Sequence, residues 1–358
     1  MGAATTYRGE HLDAVIQEIN KRYGLDVIEL TPLGGELDAN FMASTASSGP
    51  RFVRLTSGSF GNEAIQWQNR VLQQLAKQPL SVQVPHLIAQ QDGTIMSRFI
   101  TDEAETYLRM TTWLPGVTVA DIGETNLEFR HQLGVLAAEV IDSLSPLNDQ
   151  ADDHSHHWMV VKSGDSLRAT LHEVEDPDRR ALISEALDRF DAVSHDIPSL
   201  PRTVVHQDLH DFNLLAERSA DGAASISGVV DFNDAVYTAR VAEICVAAVY
   251  ATLRQPDAFE AFLQVIEGFV TRQELNEVEI RSLFPLAVAR LAVNASTWTA
   301  RAKVGNAEYA EARMEATWPA LKQLMQVTPA EAETRIAQLH AQRSAAQPAL
   351  RAEKGRRA

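Results

Sequence analysis

Cysteine and long apolar runs are almost missing from this chain. Its 358 residues include one cysteine, Cys245, so no disulfide can form within the chain and a reducing compartment is expected. Cys245 lies in the apolar run AEICVAAVYA, which favours a small core residue over a nucleophile. No uncharged apolar run reaches the ~18 residues that a membrane-spanning helix needs. The first residues, MGAATTYRGEHL, have neither the basic nor the apolar segment of a secretion signal, so we expect a cytoplasmic protein.

Positive charge is also scarce. Lys and Arg number 32 against 48 Asp and Glu, which gives a net charge of -16. A nucleic acid or a membrane is therefore not expected as a partner, because a phosphate-rich surface is bound mainly through positive charge. A small cationic or zwitterionic ligand fits this balance better, although solubility alone would also explain it. The 45% of hydrophobic residues and the chain length allow about two domains or lobes.

The spacing of apolar residues predicts a strand-rich first part and a helical second part. Residues 10–23 and 60–77 have helical spacing, and short strand-like runs surround the second of these helices. A Trp-Leu-Pro-Gly turn at 113–116 ends this pattern. Helices are predicted after it at 126–147, 176–195, 240–254, 257–270, 274–303 and 308–327.

We therefore expect an α+β fold with two lobes. The N-lobe, residues 1–112, has an antiparallel sheet and a helix. The C-lobe, residues 113–330, is helical and carries a hairpin of buried strands. Residues 331–358 are expected to form the end of a helix and a disordered basic tail. A monomer or a homodimer is expected.

Two buried strand-like runs end in carboxylates, which is costly unless a cation neutralises them. The run VVHQDLHDFN at 204–213 contains Asp208 and, five residues later, Asn213. The run GVVDFND at 228–234 contains Asp231. Carboxylate and amide oxygens suit Mg²⁺, which completes its shell with phosphate oxygens and water. We therefore predict that Asn213 and Asp231 bind a Mg-polyphosphate, and that Asp208 orients a hydroxyl and accepts its proton.

These motifs resemble those of a known family. HQDLHDFN is similar to the catalytic loop H-x-D-x-x-x-x-N of the aminoglycoside phosphotransferase-like kinases, and VVDFND is similar to their metal-binding strand. The segments YLRMTTWLPG, 107–116, and RLAVNASTWTARAKVGNAEY, 290–309, resemble those of the hydroxylysine kinase branch. The resemblance extends over roughly 20–325. It implies a protein-kinase-like bilobal fold that binds ATP or GTP with Mg²⁺. The N-lobe would then bind the nucleotide, and the C-lobe would carry the catalytic hairpin and the acceptor site.

The resemblance also implies the roles of single residues. Asp208 matches the catalytic base, Asn213 and Asp231 match the Mg²⁺ ligands, and His206 matches a residue that braces the loop. The alternative is that both motifs are strand-end turns in which Asn and Asp act as caps.

Other residues are candidates for nucleotide contacts. Gly34 and Gly35 lie between two predicted strands, where glycine lets backbone amides approach phosphates closely, although a plain hairpin turn is the alternative. Thr112 and Trp113 lie in the segment that matches the family's hinge.

Four positions depart from the family pattern. Arg54 replaces the nucleotide-positioning lysine, keeping the charge and an ability to bind phosphate through two N–H groups. Gln68 replaces the helix glutamate that pairs with this lysine, with Glu63 nearby as a substitute. Gln207 and Asn233 replace glycines in the two motifs. These changes leave two possibilities, a different way of positioning the phosphates or weakened catalysis.

The residues that contact the acceptor are the most difficult to identify from the sequence. Candidates for an ammonium group are acidic or aromatic residues close to the motifs, namely Asp211, Asp234, Tyr237 and Glu243. Arg290 or Arg240 could pair with a carboxylate. For each of them a structural or surface role is the alternative. Together they indicate a small amino alcohol or hydroxy amino acid; the resemblance implies hydroxylysine, with homoserine, choline, ethanolamine and aminoglycosides as acceptors of related branches.

Three histidines and two tryptophans need a separate interpretation. His154, His156 and His157 are closely spaced in a polar segment without cysteine, which favours a solvated loop over a metal site. Trp158 is expected to anchor this loop. Trp298 either lines the acceptor site or belongs to the core.

Three functions remain open on the sequence alone. The first is a small-molecule kinase, the second a non-catalytic kinase-like binding module, and the third an antibiotic-modifying kinase. Mg-dependent transfer would separate the first from the second, and a panel of aminoglycosides would identify the third.

Overall fold

The computed structural model of this chain describes residues 10–33, 38–58, 62–100, 105–150, 156–220, 222–305 and 307–357. The chain divides into two compact units: unit 1 comprises 1–79 and 83–115, and unit 2 comprises 80–82 and 116–358. The predicted boundary at 112–113 thus falls three residues before the last residue of unit 1.

Unit 1 is built on a five-stranded antiparallel sheet in the order β1-β2-β3-β5-β4. The strands are β1 (Val27–Leu33), β2 (Ala39–Thr45), β3 (Arg51–Ser57), β4 (Ser97–Ile100) and β5 (Glu105–Thr112), and the helices are α1 (Glu10–Tyr23) and α2 (Asn62–Lys77). The strand-like run HLIAQ, 86–90, forms only an isolated bridge between Leu87 and Thr111.

The two faces of this sheet differ in chemistry. One face packs against α1 through a buried core that includes Val15, Ile19, Phe41 and Val53. Because side chains alternate along a strand, the neighbours of these core residues point to the other face. That face carries the directly paired residues Arg54 and Arg109 of β3 and β5.

Unit 2 contains two small antiparallel sheets and most of the helices. Its strands are β6 (Val117–Thr118), β7 (Arg202–Val205), β8 (Leu214–Arg218), β9 (Ala224–Val229) and β10 (Val236–Ala239). The helices are α3 (Val119–Ile122), α4 (Leu127–Leu144), α5 (Ser163–Thr170), α6 (Pro177–Ser194), α7 (Val241–Tyr250), α8 (Ala258–Val270), α9 (Glu277–Val304), α10 (Ala307–Met314), α11 (Thr317–Leu324) and α12 (Pro329–Arg357). Within the described ranges, no helix is both long and apolar enough to cross a membrane.

The predicted catalytic hairpin is divided between two sheets. β8 pairs with β9, as a hairpin requires, but β7 pairs with β10, which lies beyond the second motif. The two polar motifs therefore interrupt the predicted strands and form the loops between these sheets.

Helices α7 and α9 support these loops from the core. All ten residues of α7 are buried, including Cys245, whose burial raises its pKa, as expected of a core thiol. Helix α9 starts with a capping box in which Asn276 and Glu279 exchange hydrogen bonds, and 19 of its 28 residues are buried. Their burial therefore fixes both helices, so that each can position side chains under the loops.

The C-terminal segment forms one helix. Helix α12 runs to Arg357, and its first turns are attached by the fully buried Ala332 and Ile336. Many of its residues are alanine, which has the highest helix propensity. Helix propensity and this apolar anchor therefore both favour the helix, and the disordered basic tail within 331–358 stays a prediction.

Candidate active site

The loop between β7 and β8 is held from inside by His206. The ring is fully buried and packs 4.4 Å from the ring of Phe232, measured between centroids. Its Nδ1 accepts the backbone N–H of Asp208 at 3.2 Å, so Nε2 is the protonated nitrogen and donates to the carbonyl of Val230 at 3.1 Å. Burial lowers the pKa of His206, which keeps the ring neutral. His206 therefore braces the loop against the second motif.

Both motifs contain a non-glycine residue in the left-handed region. Gln207 has φ 71° and Asp231 has φ 63°, which cost on the order of 1–2 kcal/mol each for residues with a Cβ. The Gln207 amide is fully buried and makes no hydrogen bond to any described residue. Such strain persists only where neighbours fix the backbone, and it marks candidate functional loops.

Glu243 fixes the backbone at Gln207. Its Oε2 accepts the N–H groups of His206 at 2.7 Å and Gln207 at 3.2 Å. Burial raises the pKa of this carboxyl to about 8, against a smaller lowering effect of the two N–H bonds. The sequence predicted Glu243 as a contact for a substrate ammonium group. The structure instead places it fully buried under the loop, where its role is to position the backbone.

Three side chains contact the carboxylate of Asp208. Its Oδ2 accepts from Asn213 Nδ2 at 2.8 Å and lies 3.2 Å from His210 Nε2, and its Oδ1 accepts from Arg290 Nη2 at 3.3 Å. Burial would raise the pKa of Asp208, but His210, Arg290 and His206 outweigh it and hold the pKa well below the usual range. Asp208 is therefore ionised and fixed in direction, with 17% of its side chain exposed.

Asn213 and Asp231 provide a hard-oxygen donor set. The Asn213 amide nitrogen is used by Asp208, so its Oδ1 is the atom that can bind a cation. The backbones of the two motifs are joined by the bond from Val230 N to Asn213 O at 2.9 Å. Among the described residues, no group of three or more His, Cys, Asp or Glu side chains could hold a metal. One carboxylate and one amide oxygen fit Mg²⁺ only if phosphate oxygens and water complete its shell.

Asn233 stabilises the turn that follows Asp231. Its Nδ2 donates to Asp231 Oδ1 at 2.6 Å. The asparagine that replaces the family's glycine thus stabilises the left-handed backbone of Asp231, two residues earlier, rather than disturbing the turn.

Arg290 lies at the catalytic carboxylate rather than at a separate carboxylate site. It is 2% exposed, and its Nη1 donates to the Tyr250 hydroxyl at 2.7 Å while Nη2 contacts Asp208. Its predicted role as a partner of a substrate carboxylate is therefore replaced by one as a partner of Asp208. The alternative candidate Arg240 binds Glu279 through two bonds of 3.0 and 2.7 Å, so it too has an internal carboxylate.

The remaining acceptor candidates have different surroundings. Asp211 is buried and accepts two bonds from Arg254, at 2.8 and 2.7 Å, so it is an ion-pair residue of the loop. Tyr237 is half-buried on β10, with the Arg202 guanidinium 4.6 Å from its ring centroid. Asp234 ends the turn after Asp231 and is half-buried there.

The segment before Trp158 adds a histidine close to the loop. Burial lowers the pKa of His156 to about 4, against an opposing effect of Asp208. His157 Nε2 lies 2.7 Å from the Thr297 hydroxyl. His154 lies outside the described residues. Within the described part, His156 and His157 belong to no group of three or more His, Cys, Asp or Glu side chains that could hold a metal.

In unit 1, Arg54 is half-buried on β3. Its Nε donates to Asn40 Oδ1 at 3.0 Å and lies 3.5 Å from Asp38 Oδ2. Gln68 accepts from Arg109 Nη2 at 2.7 Å, so the helix residue predicted as a neighbour of Arg54 bonds to the cross-strand arginine instead. Sequence reasoning missed Arg109.

The other predicted nucleotide contacts are only partly described. Gly34 and Gly35 lie outside the described residues. Thr112 ends β5, and its Oγ1 accepts the N–H of His86 at 3.0 Å, while Trp113 follows it half-buried. Glu63 is exposed in the first turn of α2.

Sequence reasoning also missed His210 and Tyr250. His210 lies inside the motif, and its Nδ1 accepts the N–H of Phe212 at 3.0 Å, which directs Nε2 to Asp208. The short spacing between Asp208 and His210 in the sequence could have indicated this contact. Tyr250 lies at the end of an apolar helix and gave no polar signal.

Comparison with known proteins agrees with this geometry. The model of the phosphotransferase enzyme family (APH) matches residues 29–277. Hydroxylysine kinase of Xenopus laevis is 23% identical over 299 residues, which cover 78% of this chain and 79% of that protein. Hydroxylysine kinase of Bos taurus is 24% identical over 323 residues, which cover 84% of this chain and 86% of that protein.

Solved structures share the fold at low identity. A microcompartment-associated aminopropanol kinase matches with a TM-score of 0.61 and 16% identity, covering 92% of this chain and 98% of that one. An amicoumacin kinase, solved with AMP-PNP and Ca²⁺, matches with a TM-score of 0.60 and 16% identity, covering 88% and 95%. The predicted α+β, protein-kinase-like fold is thus confirmed. Since the family model spans more than half of the chain, this protein belongs to the phosphotransferase enzyme family (APH) and is a small-molecule phosphotransferase with a hydroxyl acceptor.

Proposed function

We propose that this protein transfers the γ-phosphoryl group of Mg-ATP or Mg-GTP to a hydroxyl of a small amino-containing acceptor, preferentially a hydroxylysine-like hydroxy amino acid. The observation that carries this proposal is the fixed, ionised Asp208, whose Oδ2 is bound by the candidate metal ligand Asn213 at 2.8 Å. One bond thus links the group that would orient the hydroxyl to the group that would hold the nucleotide's cation.

In the reaction, Asp208 accepts a hydrogen bond from the acceptor hydroxyl and directs its oxygen at the γ-phosphorus. The new P–O bond forms as the bond to the β–γ bridging oxygen breaks, and the nucleoside diphosphate leaves. Because the pKa of Asp208 is held low, it is a weak base, and the hydroxyl proton moves to it late, then to solvent. Asn213 and Asp231 would hold Mg²⁺, which would supply charge neutralisation to the phosphates. Orientation is then the main contribution of Asp208.

The acceptor and donor classes draw support from related proteins. The two curated relatives are named as hydroxylysine kinases, and one solved neighbour as an aminopropanol kinase. The acceptors in these names, hydroxylysine and aminopropanol, each have an amino group and a hydroxyl. The amicoumacin kinase was solved with AMP-PNP, and an aminoglycoside 2'-phosphotransferase was solved with GDP. Both ATP and GTP are therefore kept in the proposal as donors.

In unit 1, we assign Arg54 to the nucleotide phosphates and Thr112 and Trp113 to the rest of the nucleotide, with Gly34 and Gly35 as further phosphate contacts. The bond to Asn40 fixes the Nε of Arg54, and Asp38 Oδ2 lies 3.5 Å from the same atom, so a bound phosphate would share this guanidinium with a carboxylate.

A catalytically impaired binding module is the second candidate function. The bond between Gln68 and Arg109 favours it, because the helix then offers no carboxylate at that position to orient a phosphate-binding cation. An aminoglycoside, homoserine, choline or ethanolamine acceptor would keep the reaction and change only its substrate.

The test is to incubate the purified protein with Mg-ATP or Mg-GTP and pools of hydroxy amino acids, amino alcohols and aminoglycosides. Mass spectrometry then detects a product heavier by one phosphoryl group. A product in the amino-containing pools that disappears with EDTA supports the proposal. Nucleotide binding without any product in the folded protein would instead support the binding module, and a product only with aminoglycosides would replace the acceptor class.

A further inference from the structure

The two oxygens of the Asp208 carboxylate have different surroundings. Oδ2 accepts from Asn213 Nδ2 at 2.8 Å and lies 3.2 Å from His210 Nε2. Among the described residues, Oδ1 has one donor, Arg290 Nη2 at 3.3 Å, which is longer than the roughly 2.7–2.9 Å of a strong charge-assisted bond. Each carboxylate oxygen can accept about two hydrogen bonds. Oδ2 therefore has its full number of donors, whereas Oδ1 can accept one more.

The position of the proton on His210 follows from its neighbours in the loop. Its Nδ1 accepts the backbone N–H of Phe212 at 3.0 Å, so Nδ1 carries no proton and the neutral ring has its N–H at Nε2. This N–H belongs to the atom that lies 3.2 Å from Asp208 Oδ2. The backbone of the loop thus fixes which nitrogen of His210 can donate to the carboxylate.

The amide of Asn213 and the ring of His210 share this acceptor. His210 Nε2 lies 3.4 Å from Asn213 Nδ2, but two N–H donors cannot bond to each other. The oxygen that both can use is Asp208 Oδ2. Contacts of this kind are often long before substrate binds and tighten in the complex, which agrees with the 3.2 Å of the His210 contact.

Aromatic contacts hold the His210 ring in place. Its side chain is 8% exposed, and its ring centroid lies 5.4 Å from that of Tyr250 and 6.0 Å from that of Phe212. The Tyr250 hydroxyl in turn accepts from Arg290 Nη1 at 2.7 Å. The two side chains that contact different oxygens of Asp208 are therefore both supported by the same tyrosine, one at its ring and the other at its hydroxyl.

We propose that His210 is a positioning residue that occupies Oδ2 of Asp208 together with Asn213, so that Oδ1 receives the acceptor hydroxyl. This inference rests on the proposed function and makes it more specific, because the two oxygens have different roles. The acceptor O–H donates to Oδ1, and its oxygen forms the new bond to the γ-phosphorus. The proton passes late to Oδ1, and the nucleoside diphosphate leaves with the electron pair of the broken P–O bond. His210 keeps its Nε2 proton throughout.

Two substitutions at position 210 separate the donor from the bulk of the ring. His210→Gln keeps an N–H donor, whereas His210→Leu fills space without one. For both variants, kcat and the KM for Mg-ATP are measured with the acceptor that the wild type phosphorylates. The matched control is His172→Leu, because His172 Nε2 also lies close to a carboxylate, 3.0 Å from Glu173 Oε1, but on a side chain that is 72% exposed.

We expect His210→Leu to lower kcat about tenfold, because Asp208 loses a contact that fixes its direction, while the KM for Mg-ATP stays within about twofold. His210→Gln should recover kcat to within about threefold of the wild type, and the control should keep wild-type kinetics. An unchanged kcat in His210→Leu, or an equal loss in both variants, would overturn the proposal. A raised KM for Mg-ATP with kcat retained would also overturn it, since His210 would then act through Asn213 on nucleotide binding.

Nuclear magnetic resonance separates this inference from the proposed function. In isotope-labelled protein without substrates, the ring signals of His210 should show a proton on Nε2, and the resonance of this proton should move when Asp208→Ala removes its acceptor. If no acceptor is phosphorylated, the proposed function fails, while these two signals would still support the contact between His210 and Asp208. A proton on Nδ1, or a resonance that Asp208→Ala leaves unchanged, would contradict it. Thermal unfolding shows whether each variant is folded.

Discussion

The catalytic loop of unit 2 and the arginine-bearing face of the sheet in unit 1 hold their charged groups in different ways. In the loop, the anion Asp208 has two cationic or polarised partners, Arg290 and His210, besides the amide of Asn213. In unit 1, the cation Arg109 bonds to the neutral Gln68. The first arrangement perturbs a pKa strongly, whereas in the second a neutral amide accepts a hydrogen bond from the cation.

This difference indicates where substitutions should matter most. A buried charge that loses its only strong opposite charge costs several kcal/mol, whereas an amide partner contributes about 1–3 kcal/mol to a charged group. We therefore expect changes around Asp208 to have large effects on catalysis. Changes at Arg54 should have smaller effects that are visible mainly in nucleotide binding.

Among the residues that surround Asp208, the largest effect is expected for Arg290→Gln. Without the guanidinium, the pKa of Asp208 rises, because one of the groups that lower it is lost. Since the reaction needs ionised Asp208, the acidic limb of the kcat profile should move to higher pH. The loss of the contact that fixes the direction of the carboxylate should also lower kcat at neutral pH, by about 10–100-fold. Arg290→Lys should restore part of the charge effect.

The matched control for this prediction is Arg281→Gln. Arg281 also lies on α9 and also binds an aspartate, Asp196, through two bonds of 2.9 and 2.8 Å. An unchanged pH profile in Arg290→Gln, or the same shift in the control, would contradict the role given to Arg290.

A second prediction concerns the pH dependence of stability that the buried carboxyl of Glu243 causes. The folded-state pKa of Glu243 is raised to about 8 from its ordinary 4.5, so the folded protein keeps a proton that the unfolded chain releases. The free energy of unfolding contributed by this group is therefore fully present below about pH 4.5 and is lost as the pH rises towards 8. Glu243→Gln keeps an oxygen for the two N–H groups and removes this dependence.

Denaturant unfolding at pH 5 and pH 8 measures this difference. Glu185→Gln, on an exposed side chain of α6, is the control. If the wild type and Glu243→Gln lose the same stability between the two pH values, the buried, protonated state of Glu243 is wrong.

The smallest effect is expected for Arg54→Lys. Lysine restores the residue type that the family resemblance implies, but it lacks the Nε–H that bonds to Asn40. We expect KM for the nucleotide to rise by up to about tenfold, with kcat nearly unchanged. Arg51→Lys on the same strand is the control. A loss of kcat as large as that of Arg290→Gln would remove the contrast between the two regions.

The loop motifs could be predicted from sequence because their residues are close together in the chain. Asp208 and Asn213 are five residues apart, and the hydrogen bond between them follows from that spacing. The main helices also agree with the apolar periodicity; for example, α1 covers Glu10–Tyr23 as predicted. Local patterns of this kind need no knowledge of the tertiary fold.

The partners of the loop could not be predicted, because they are distant in the chain. Arg290 meets Asp208 across 82 residues, and Gln68 meets Arg109 across 41. Such pairs depend on which helix faces the loop, which periodicity does not reveal. Glu243 gave one usable signal: a single carboxylate in the apolar run AEICVAAV must be buried, and a buried carboxylate needs N–H donors.

The central claim, that Asp208 directs a hydroxyl at a nucleotide phosphorus, is tested most directly by kcat of Asp208→Asn on the preferred acceptor. Asparagine keeps the size of the side chain and cannot accept the proton, so kcat should fall about 10²–10⁴-fold while nucleotide affinity is retained. Asp191→Asn, at the exposed ion pair with Arg168, should keep full activity. If Asp208→Asn retains wild-type turnover in the folded protein, the account of this site is wrong.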